Sequence, residues 1–363
     1  MTYRMLGLMS GTSLDGLDLC RCDLHVGGGR WSYDLLAART VAYEPAWRRR
    51  LDAAIGLPRD GLAELDEAYG RLLGTAAREF LAELGESAPV VVASHGHTVH
   101  HEPDDEYTRQ VGDPRALAEA SGCRVVADFR TGDVALGGQG APLVPVADAL
   151  LFGEYAACVN LGGFANFSYE AAGRRLASDV TVCNLLLDRL AARVGLAYDE
   201  GGRLASTGRV DASLLGDLDA EPFFARPTPK SLGREWFEAR IWPQFSRKLD
   251  GGSVAVPDAL ATAVAHVGRQ LGRALRDVPA GSILVTGGGA HNATLLRGFR
   301  QNVPHGARLA AAGPELTDYK EALAFACLGA LRLRGEVNVL ATVTGARRDS
   351  CAGVIAEPPV VAL

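Results

Sequence analysis

The chain has 363 residues, of which 48% are apolar and 22% charged, and its formal net charge is −6. These values are typical of a globular protein of about two domains, and the acidic balance gives no general attraction to nucleic acid or anionic membranes. The longest apolar runs fall well short of the ~20 residues of a membrane span, and the start shows no signal-peptide pattern. Seven cysteines without a CxxC pair indicate reduced thiols, so we expect a cytoplasmic protein without disulfides.

Strand-like and helix-like segments alternate along the chain, which predicts an α/β fold. Residues 5–26 begin this order as two strands around a glycine-rich turn, and a third strand follows. Apolar residues at helical spacing then cover 62–84. Ala88–Gly96 is expected to be a buried strand that ends in a turn, and Asp113–Gly122 a short helix with an N-cap aspartate and a terminal glycine.

The second half of the chain repeats the beginning of the first. After a Gly/Pro-rich seam at 136–152, residues 157–170 again give strand, glycine turn and strand. A helix over 260–275, a strand–turn–helix unit over 282–299 and an apolar helix over 322–333 follow. We therefore expect two related halves, residues 1–140 and 141–363, with the C-terminal tail able to pack on the first.

Three glycine turns, each after a strand, are the first candidate for chemistry. They read SGTSLDG (10–16), NLGGFAN (160–166) and TGGGAHN (286–292). Turns with little side-chain bulk can surround phosphate oxygens with backbone N–H groups, although a single such turn more often serves only the chain reversal. None is a Walker loop, and Asn292 replaces the last glycine of a dinucleotide fingerprint. The three turns together favour a nucleotide bound between two domains.

A histidine cluster, His95, His97, His100 and His101 with Glu102, is the second candidate. An HxH pair at a strand end occurs in metal-dependent hydrolases. No second group of histidines and carboxylates in the sequence completes such a site, so we favour a polar loop that binds a hydroxylated ligand through His95.

Three further charged residues each allow a functional and a structural interpretation. Arg130 follows a buried strand and offers a donor fork to a carboxylate or phosphate, or an ion pair at the domain seam. Asp179 at a strand-to-helix junction reads as an N-cap when taken alone. Glu321 at the start of the apolar helix would complement the helix dipole. The segment 227–237, PTPKSLGREWF, is expected to be a rigid loop or a lid.

The motifs in this order resemble the anhydro-N-acetylmuramic acid kinase family, bacterial enzymes of cell-wall recycling. The resemblance rests on GLMSGTSLDGLD, SHGHTVHHEP, VNLGGFANFS, TPKSLGRE, GGGAHN, EALAFA and VTGA and covers nearly the whole chain. It implies the two-domain actin-like fold of the sugar kinase, Hsp70 and actin superfamily, with a mixed sheet in each half and the active site in the cleft between them. It also implies ATP and Mg²⁺ as cofactors and a homodimer.

The resemblance also assigns roles by position. Asp179 aligns with a catalytic base that activates water at the anomeric carbon of 1,6-anhydro-N-acetylmuramic acid while the bridge oxygen attacks the γ-phosphate. The implied ATP contacts are Gly11, Thr12, Ser13, Leu14, Asp15, Gly16, Leu17, Asp18, Gly162, Gly163, Gly287, Gly288, Gly289 and Asn292. The implied sugar contacts are His95, Thr98, Arg130 and Glu321. Asp15 is our choice for Mg²⁺, through water.

One departure affects the catalytic segment. The family pattern is D-T-G-P-G-N, whereas residues 179–184 read DVTVCN. Bulky Val182 and Cys183 are expected to obstruct the backbone there or to change its φ and ψ. His97 also stands where the family has glutamine. Two alternatives therefore stay open: a kinase of another anhydro sugar such as levoglucosan, and a catalytically weak sugar- or nucleotide-binding protein.

Overall fold

The computed structural model describes residues 1–11, 14–86 and 88–359. Its strands, in chain order, are β1 (Thr2–Ser10), β2 (Gly16–Gly27), β3 (Arg30–Ala42), β4 (Val91–Glu102), β5 (Tyr107–Val111), β6 (Arg124–Ala127), β7 (Ala157–Leu161), β8 (Phe164–Ala171), β9 (Arg174–Val182), β10 (Gly281–Thr286), β11 (Ala307–Ala311) and β12 (Val354–Ala356).

The helices alternate with these strands. In chain order they are α1 (Pro45–Ala53), α2 (Ala63–Glu83), α3 (Pro114–Ser121), α4 (Thr131–Ala135), α5 (Pro145–Leu151), α6 (Asn184–Ala192), α7 (Arg203–Thr207), α8 (Ala212–Asp219), α9 (Arg234–Trp236), α10 (Trp242–Asp250), α11 (Val256–Ala274), α12 (Ala293–Arg300), α13 (Pro314–Arg334) and α14 (Ala341–Thr344).

The chain forms two units. Unit 1 comprises Met1–Phe152 and Tyr319–Leu363, and unit 2 comprises Gly153–Asp318. The division after Phe152 differs from the boundary we expected at residue 140, because Asp148 of α5 pairs with Lys320 at 2.8 Å and the Phe152 ring packs on Tyr33. The C-terminal segment belongs to unit 1.

Unit 1 is built on a mixed sheet. β1, β2 and β3 form an antiparallel meander, and β4 and then β6 extend it as strands parallel to β1. β5 pairs with β4, and β12 closes the β6 edge. Leu6 and Leu8 of β1 face a core shared with α2 and α3. Gly7, between them, faces α13, and a Cβ at this position would lie 1.9 Å from the Ala322 carbonyl oxygen.

Unit 2 repeats this strand order. β7, β8 and β9 form the antiparallel meander, and β10 and β11 extend it as parallel strands on the β7 side. A separate core is formed by residues of this sheet together with α6, α11 and α12. The predicted α/β fold with a related mixed sheet in each half is confirmed.

The helices that the sequence predicts lie near their expected positions, and β4 and α13 extend further than expected. Asp113 caps α3 by accepting the N–H groups of Arg115 and Ala116. β4 does not end at Gly96; this residue has a φ of 71°, and the strand continues to Glu102 because β5 pairs with it. The apolar run at 322–333 is the later part of α13, which begins at Pro314.

No helix in the described ranges combines the length and the apolar character needed to cross a bilayer.

Candidate active site

The first glycine turn, between β1 and β2, is held from both sides. Leu14 takes a φ of 57°, its N–H donates to the Gly11 carbonyl, and its own carbonyl accepts from Arg48 Nε of α1 at 2.8 Å. Asp15 is exposed, and its Oδ1 accepts the Gly16 N–H. Thr12 and Ser13 lie outside the described residues.

The residues after this turn return to the sheet. Gly16 is required there because a Cβ would lie 2.7 Å from the Val41 carbonyl oxygen of β3. The Leu17 side chain is buried in the core, which leaves only its backbone for a ligand. Asp18 is half-buried, and its Oδ1 accepts the Thr40 hydroxyl at 2.6 Å.

A buried hydrogen-bond chain that the sequence did not reveal lies at the carboxyl end of β1. The Tyr43 hydroxyl donates to Ser10 Oγ at 2.7 Å and lies 2.5 Å from the Tyr69 hydroxyl, while Ser10 Oγ lies 3.0 Å from His97 Nδ1. Burial lowers the pKa of His97 to about 4, so this imidazole is neutral at physiological pH.

His95 and Arg130 form one unit. Arg130 Nε and Nη2 both approach His95 Nε2, at 3.2 and 2.8 Å, and Nη1 donates to the Gly140 carbonyl at 2.8 Å. His95 Nε2 is therefore the acceptor nitrogen and Nδ1 carries the proton. Burial and the neighbouring guanidinium hold the pKa of His95 well below its usual range. His95 Nδ1 is itself buried and lies near the backbone of Gly96 and Ser10, without a hydrogen bond of full geometry among the described residues.

Glu321 lies near this pair, on α13. It is about two turns into the helix, so the expected first-turn role in the helix dipole is wrong. Burial raises the pKa of Glu321, and Lys320 and Arg130 oppose that rise. Thr98, further along β4, accepts a hydrogen bond from Gln110 Nε2 at 3.4 Å.

The segment after α4 is fixed by one buried carboxylate. Asp133 accepts the Gly140 N–H through Oδ2 and the Thr344 hydroxyl through Oδ1, both at 2.8 Å. Thr344 belongs to the VTGA motif, and its carbonyl accepts the Gln139 N–H. The late motif therefore positions the 136–140 loop, whose Gly140 carbonyl holds Arg130.

In unit 2 the second glycine turn contacts the start of α6. The Gly163 carbonyl accepts the N–H of Cys183 at 2.8 Å, and the Gly162 carbonyl accepts that of Asn184 at 3.1 Å. Asn184 Nδ2 also donates to the Leu161 carbonyl. Asn184, the last residue of the altered family motif, therefore fixes the turn.

The third glycine turn packs on the second. Gly287 has a φ of 84° and lies so close to Asn160 that a Cβ would come within 2.3 Å of its Oδ1; a Cβ on Gly289 would meet Leu161 at 2.7 Å. Asn292 is the N-cap of α12 and accepts the Leu295 N–H. The structure thus brings Gly162, Gly163 and Gly287–Gly289 together around Asn184.

Asp179 is not an N-cap. It lies within β9 opposite Asn166 of β8, next to a bulge that accommodates Val180, and the N-cap of α6 is Cys183. Its Oδ2 accepts the Leu232 N–H at 2.8 Å, and its own N–H donates to the Lys230 carbonyl at 2.9 Å. Burial raises the pKa of Asp179 to about 6, while the Leu232 N–H opposes that rise. A carboxylate with this pKa is ionised near neutral pH and is a stronger base than an exposed aspartate.

The bulky residues of the altered motif point away from the site. Val180, Val182 and Cys183 are at most 2% exposed and belong to the core of unit 2. Thr181 is fully buried, and its Oγ1 lies 3.3 Å from His266 Nε2. These side chains fill the core behind the strand, so the expected obstruction by Val182 and Cys183 does not come from their side chains; the backbone of Cys183 does take unusual angles, φ −127° and ψ −102°.

Across the described residues, no group of three His, Cys, Asp or Glu side chains is arranged to hold a metal ion. The histidines of β4 instead bind Arg130, Ser10 and Thr108.

Comparison with known proteins agrees with these features. The family model described as anhydro-N-acetylmuramic acid kinase matches residues 3–358. Proteins with that name from Streptomyces coelicolor and Xanthomonas oryzae pv. oryzae are similar to the chain, with 37% and 38% identity. The alignments cover 97% and 96% of this chain and 93% and 96% of those relatives.

Similar solved structures are more distant. Component A of the (R)-2-hydroxyglutaryl-CoA dehydratase of Acidaminococcus fermentans aligns with a TM-score of 0.46 and 14% identity, over 89% of this chain and 96% of that one. A ROK family glucokinase from Streptomyces griseus aligns with a TM-score of 0.39 and 14% identity, over 90% and 98%.

The family match over nearly the whole chain and the two full-length relatives give the same assignment. The chain therefore belongs to the anhydro-N-acetylmuramic acid kinase family and is an anhydro-sugar kinase.

Proposed function

We propose that the protein uses ATP to convert 1,6-anhydro-N-acetylmuramic acid and water into N-acetylmuramic acid 6-phosphate and ADP, a step of peptidoglycan recycling. The observation that carries the proposal is Asp179, a buried carboxylate in β9 whose Oδ2 is held by a backbone N–H and whose pKa is raised to about 6. Family membership supports the choice of substrate.

In this reaction Asp179 acts as the base. It takes a proton from a water molecule while the water oxygen attacks the anomeric carbon, and the bond from that carbon to the bridge oxygen breaks. The freed O6 forms a bond to the γ-phosphorus, and ADP leaves. The rest of the rate enhancement comes from positioning of the reactants and neutralisation of phosphate charge.

The sugar contacts are proposed in unit 1. The Nδ1–H of His95 is buried and forms no hydrogen bond of full geometry among the described residues, and we assign it to a hydroxyl or carbonyl oxygen of the sugar. The orientation of that N–H is set by Arg130, and Glu321 and Thr98 are proposed on the same ligand. All three side-chain nitrogen atoms of Arg130 already contact His95 or Gly140. The main role proposed for Arg130 is therefore to orient His95.

The nucleotide contacts are proposed on the glycine turns. ATP use follows from the kinase family, and the turns at 162–163 and 287–289, together with the described residues of the first turn, offer backbone that phosphates can approach. Asn292 would contribute through its backbone, since its side chain caps α12. Mg²⁺ commonly needs one or two carboxylates besides phosphate oxygens and water, and the exposed Asp15 fits that requirement. The ion would neutralise charge on the transferred phosphoryl group.

The decisive experiment combines product analysis with one variant. Purified protein is incubated with ATP, Mg²⁺ and 1,6-anhydro-N-acetylmuramic acid in ¹⁸O-water, and we expect ADP and a 6-phosphate with ¹⁸O at C1. Asp179→Asn should lower kcat by at least about 10³-fold while the Kd for ATP stays within twofold, because only proton transfer and positioning are lost.

Other results would reject the proposal. Wild-type-like turnover by Asp179→Asn would remove the base assignment. Faster turnover of levoglucosan than of the muramic acid derivative would favour the alternative anhydro-sugar kinase. Sugar binding by calorimetry without turnover would favour a binding protein.

A further inference from the structure

Residues 227–233 are the first part of the segment 227–237, for which the sequence predicts a rigid loop or a lid, and they pair with the strand that holds Asp179. The Lys230 N–H donates to Ser178 Oγ at 3.1 Å, and the Lys230 carbonyl accepts the Asp179 N–H at 2.9 Å. Two residues later, the Leu232 N–H donates to Asp179 Oδ2. The segment therefore supplies the hydrogen bond that fixes the orientation of the carboxylate.

The side chain of Lys230 points away from Asp179. Its ammonium group lies 3.1 Å from the Phe223 carbonyl oxygen, 3.5 Å from that of Phe224 and 3.2 Å from that of Arg226. The same nitrogen lies 4.6 Å from the centre of the Phe223 ring. Three carbonyls and an aromatic face satisfy an ammonium group without any carboxylate.

Two of the carbonyls that hold Lys230 belong to residues whose rings pack on unit 2. The Phe223 side chain is buried, and its ring packs on Trp236 at 5.1 Å. The Phe224 ring packs at 4.9 Å on His266 of α11, and His266 is bonded to Asp219 at 2.9 Å. One lysine therefore links residues 223–226 to the backbone that lies against β9.

The described hydrogen bond to the Asp179 carboxylate comes from a neutral group, the Leu232 N–H of the 227–233 segment. Asn166, also neutral, is the register partner of Asp179 on β8, and the Ser178 hydroxyl bonds to the backbone carbonyls of Asp179 and Lys230. The charged residue of that segment, Lys230, turns its ammonium group to the 223–226 carbonyls. The backbone N–H of Leu232 is thus the polar contact that favours the ionised carboxylate.

We propose that Lys230 is a positioning residue for Asp179: its ammonium group ties the 227–233 segment to the 223–226 carbonyls, which keeps the Leu232 N–H on the carboxylate. The consequence for turnover rests on the proposed function, whereas the effect on the carboxylate does not. Removal of the ammonium group frees the segment, weakens the Leu232 hydrogen bond and makes Asp179 harder to ionise.

The test is a direct titration of Asp179 in the full chain. Protein labelled with ¹³C at aspartate carboxyl groups is titrated by NMR from pH 4 to pH 8, and Asp179→Asn assigns the signal. In Lys230→Met we expect the pKa of Asp179 to rise by about one unit, the order of a lost hydrogen bond to a charged group. Lys230→Arg, which can still donate to the carbonyls, should restore at least half of that shift.

Two controls make the result specific. Lys248→Met removes another lysine of unit 2, one that contacts Asp211 at 3.2 Å, and should leave Asp179 unchanged. Asp188 of α6, whose pKa burial also raises to about 6, serves as a reference in the same spectra and should not move. Ser178→Ala removes the hydroxyl that binds the Lys230 backbone on the β9 side, and it should also raise the pKa of Asp179. This variant tests the proposal if Lys230→Met does not fold.

The proposal is overturned if Lys230→Met and Ser178→Ala leave the pKa of Asp179 at its wild-type value, or if Lys248→Met shifts it equally. Turnover is measured separately. A rise in the apparent pKa of kcat with an unchanged KM for ATP would agree with the titration. Absence of turnover in the wild type would refute the proposed function and leave the NMR result valid.

Discussion

Asp179 is placed where its charge is unfavourable for folding. Because burial raises its pKa in the folded state to about 6, above the value in an unfolded chain, the folded protein favours the protonated carboxyl group. Its contribution to stability is therefore complete at acidic pH below the unfolded pKa and is lost as the pH rises through about 6. The same burial that suits a base reduces stability at neutral pH.

This sign gives a prediction for Asp179→Asn. At pH 8 the variant should be more stable than the wild type by about 2 kcal/mol, because the amide carries no charge and can still accept the Leu232 N–H. Urea unfolding measured at several pH values should show this gain shrinking towards zero near pH 4. A gain that is equal at both pH values would contradict the inferred burial of the carboxylate.

At the scale of single elements, sequence patterns predict the strands, helices and caps that depend on residues close together in the sequence. Strands followed by glycine turns, the helix 62–84 and the cap at Asp113 depend on residues close in sequence, and each was predicted. Asp179 was assigned to a cap because β9 is defined by its pairing with β8, including the bulge at Val180. Glu321 was misplaced because the polar first turns of α13 precede the apolar run that marked the helix.

Contacts between distant residues left no pattern to find. Lys230 and Asp179 are more than fifty positions apart, as are Thr344 and Asp133. The hydrogen-bond chain from Tyr69 to His97 is made by tyrosine and serine hydroxyl groups. Residues of these types are also common at protein surfaces, so the sequence does not indicate that they are buried or paired. These pairings are consequences of the sheet order and can be seen only once the strands are placed.

The packing of α13 on the first strand gives an element-scale prediction. Gly7→Ala would place a methyl group 1.9 Å from the Ala322 carbonyl oxygen, which forces the helix away from β1. We expect a loss of about 3 kcal/mol in the free energy of unfolding, at the upper end for overpacking. Gly27→Ala, at the end of β2 with nothing within 4 Å of the new methyl group, is the matched control and should change stability by less than about 1 kcal/mol.

At the scale of the whole molecule, the two units differ in continuity. The core of unit 2 is formed within residues 156–309, whereas the sheet of unit 1 packs at Gly7 and Ala93 on α13, which comes much later in the chain. We expect the fragment 153–318 to fold alone and to unfold cooperatively in urea, followed by circular dichroism. The fragment 1–152 should lack cooperative unfolding, because it has neither α13 nor β12. Cooperative unfolding of both fragments, or of neither, would contradict this assignment. The homodimer stays a prediction that light scattering can test.

The position of α13 in the sequence has a consequence for biosynthesis. A ribosome releases the chain from its N-terminus, so the strands of unit 1 leave the exit tunnel first but must wait for the last segment to cover Gly7 and its neighbours. Unit 2 emerges later, and all the residues of its core precede Tyr319. The half that contains Asp179 can therefore complete its core while the face of the unit 1 sheet around Gly7 still lacks α13.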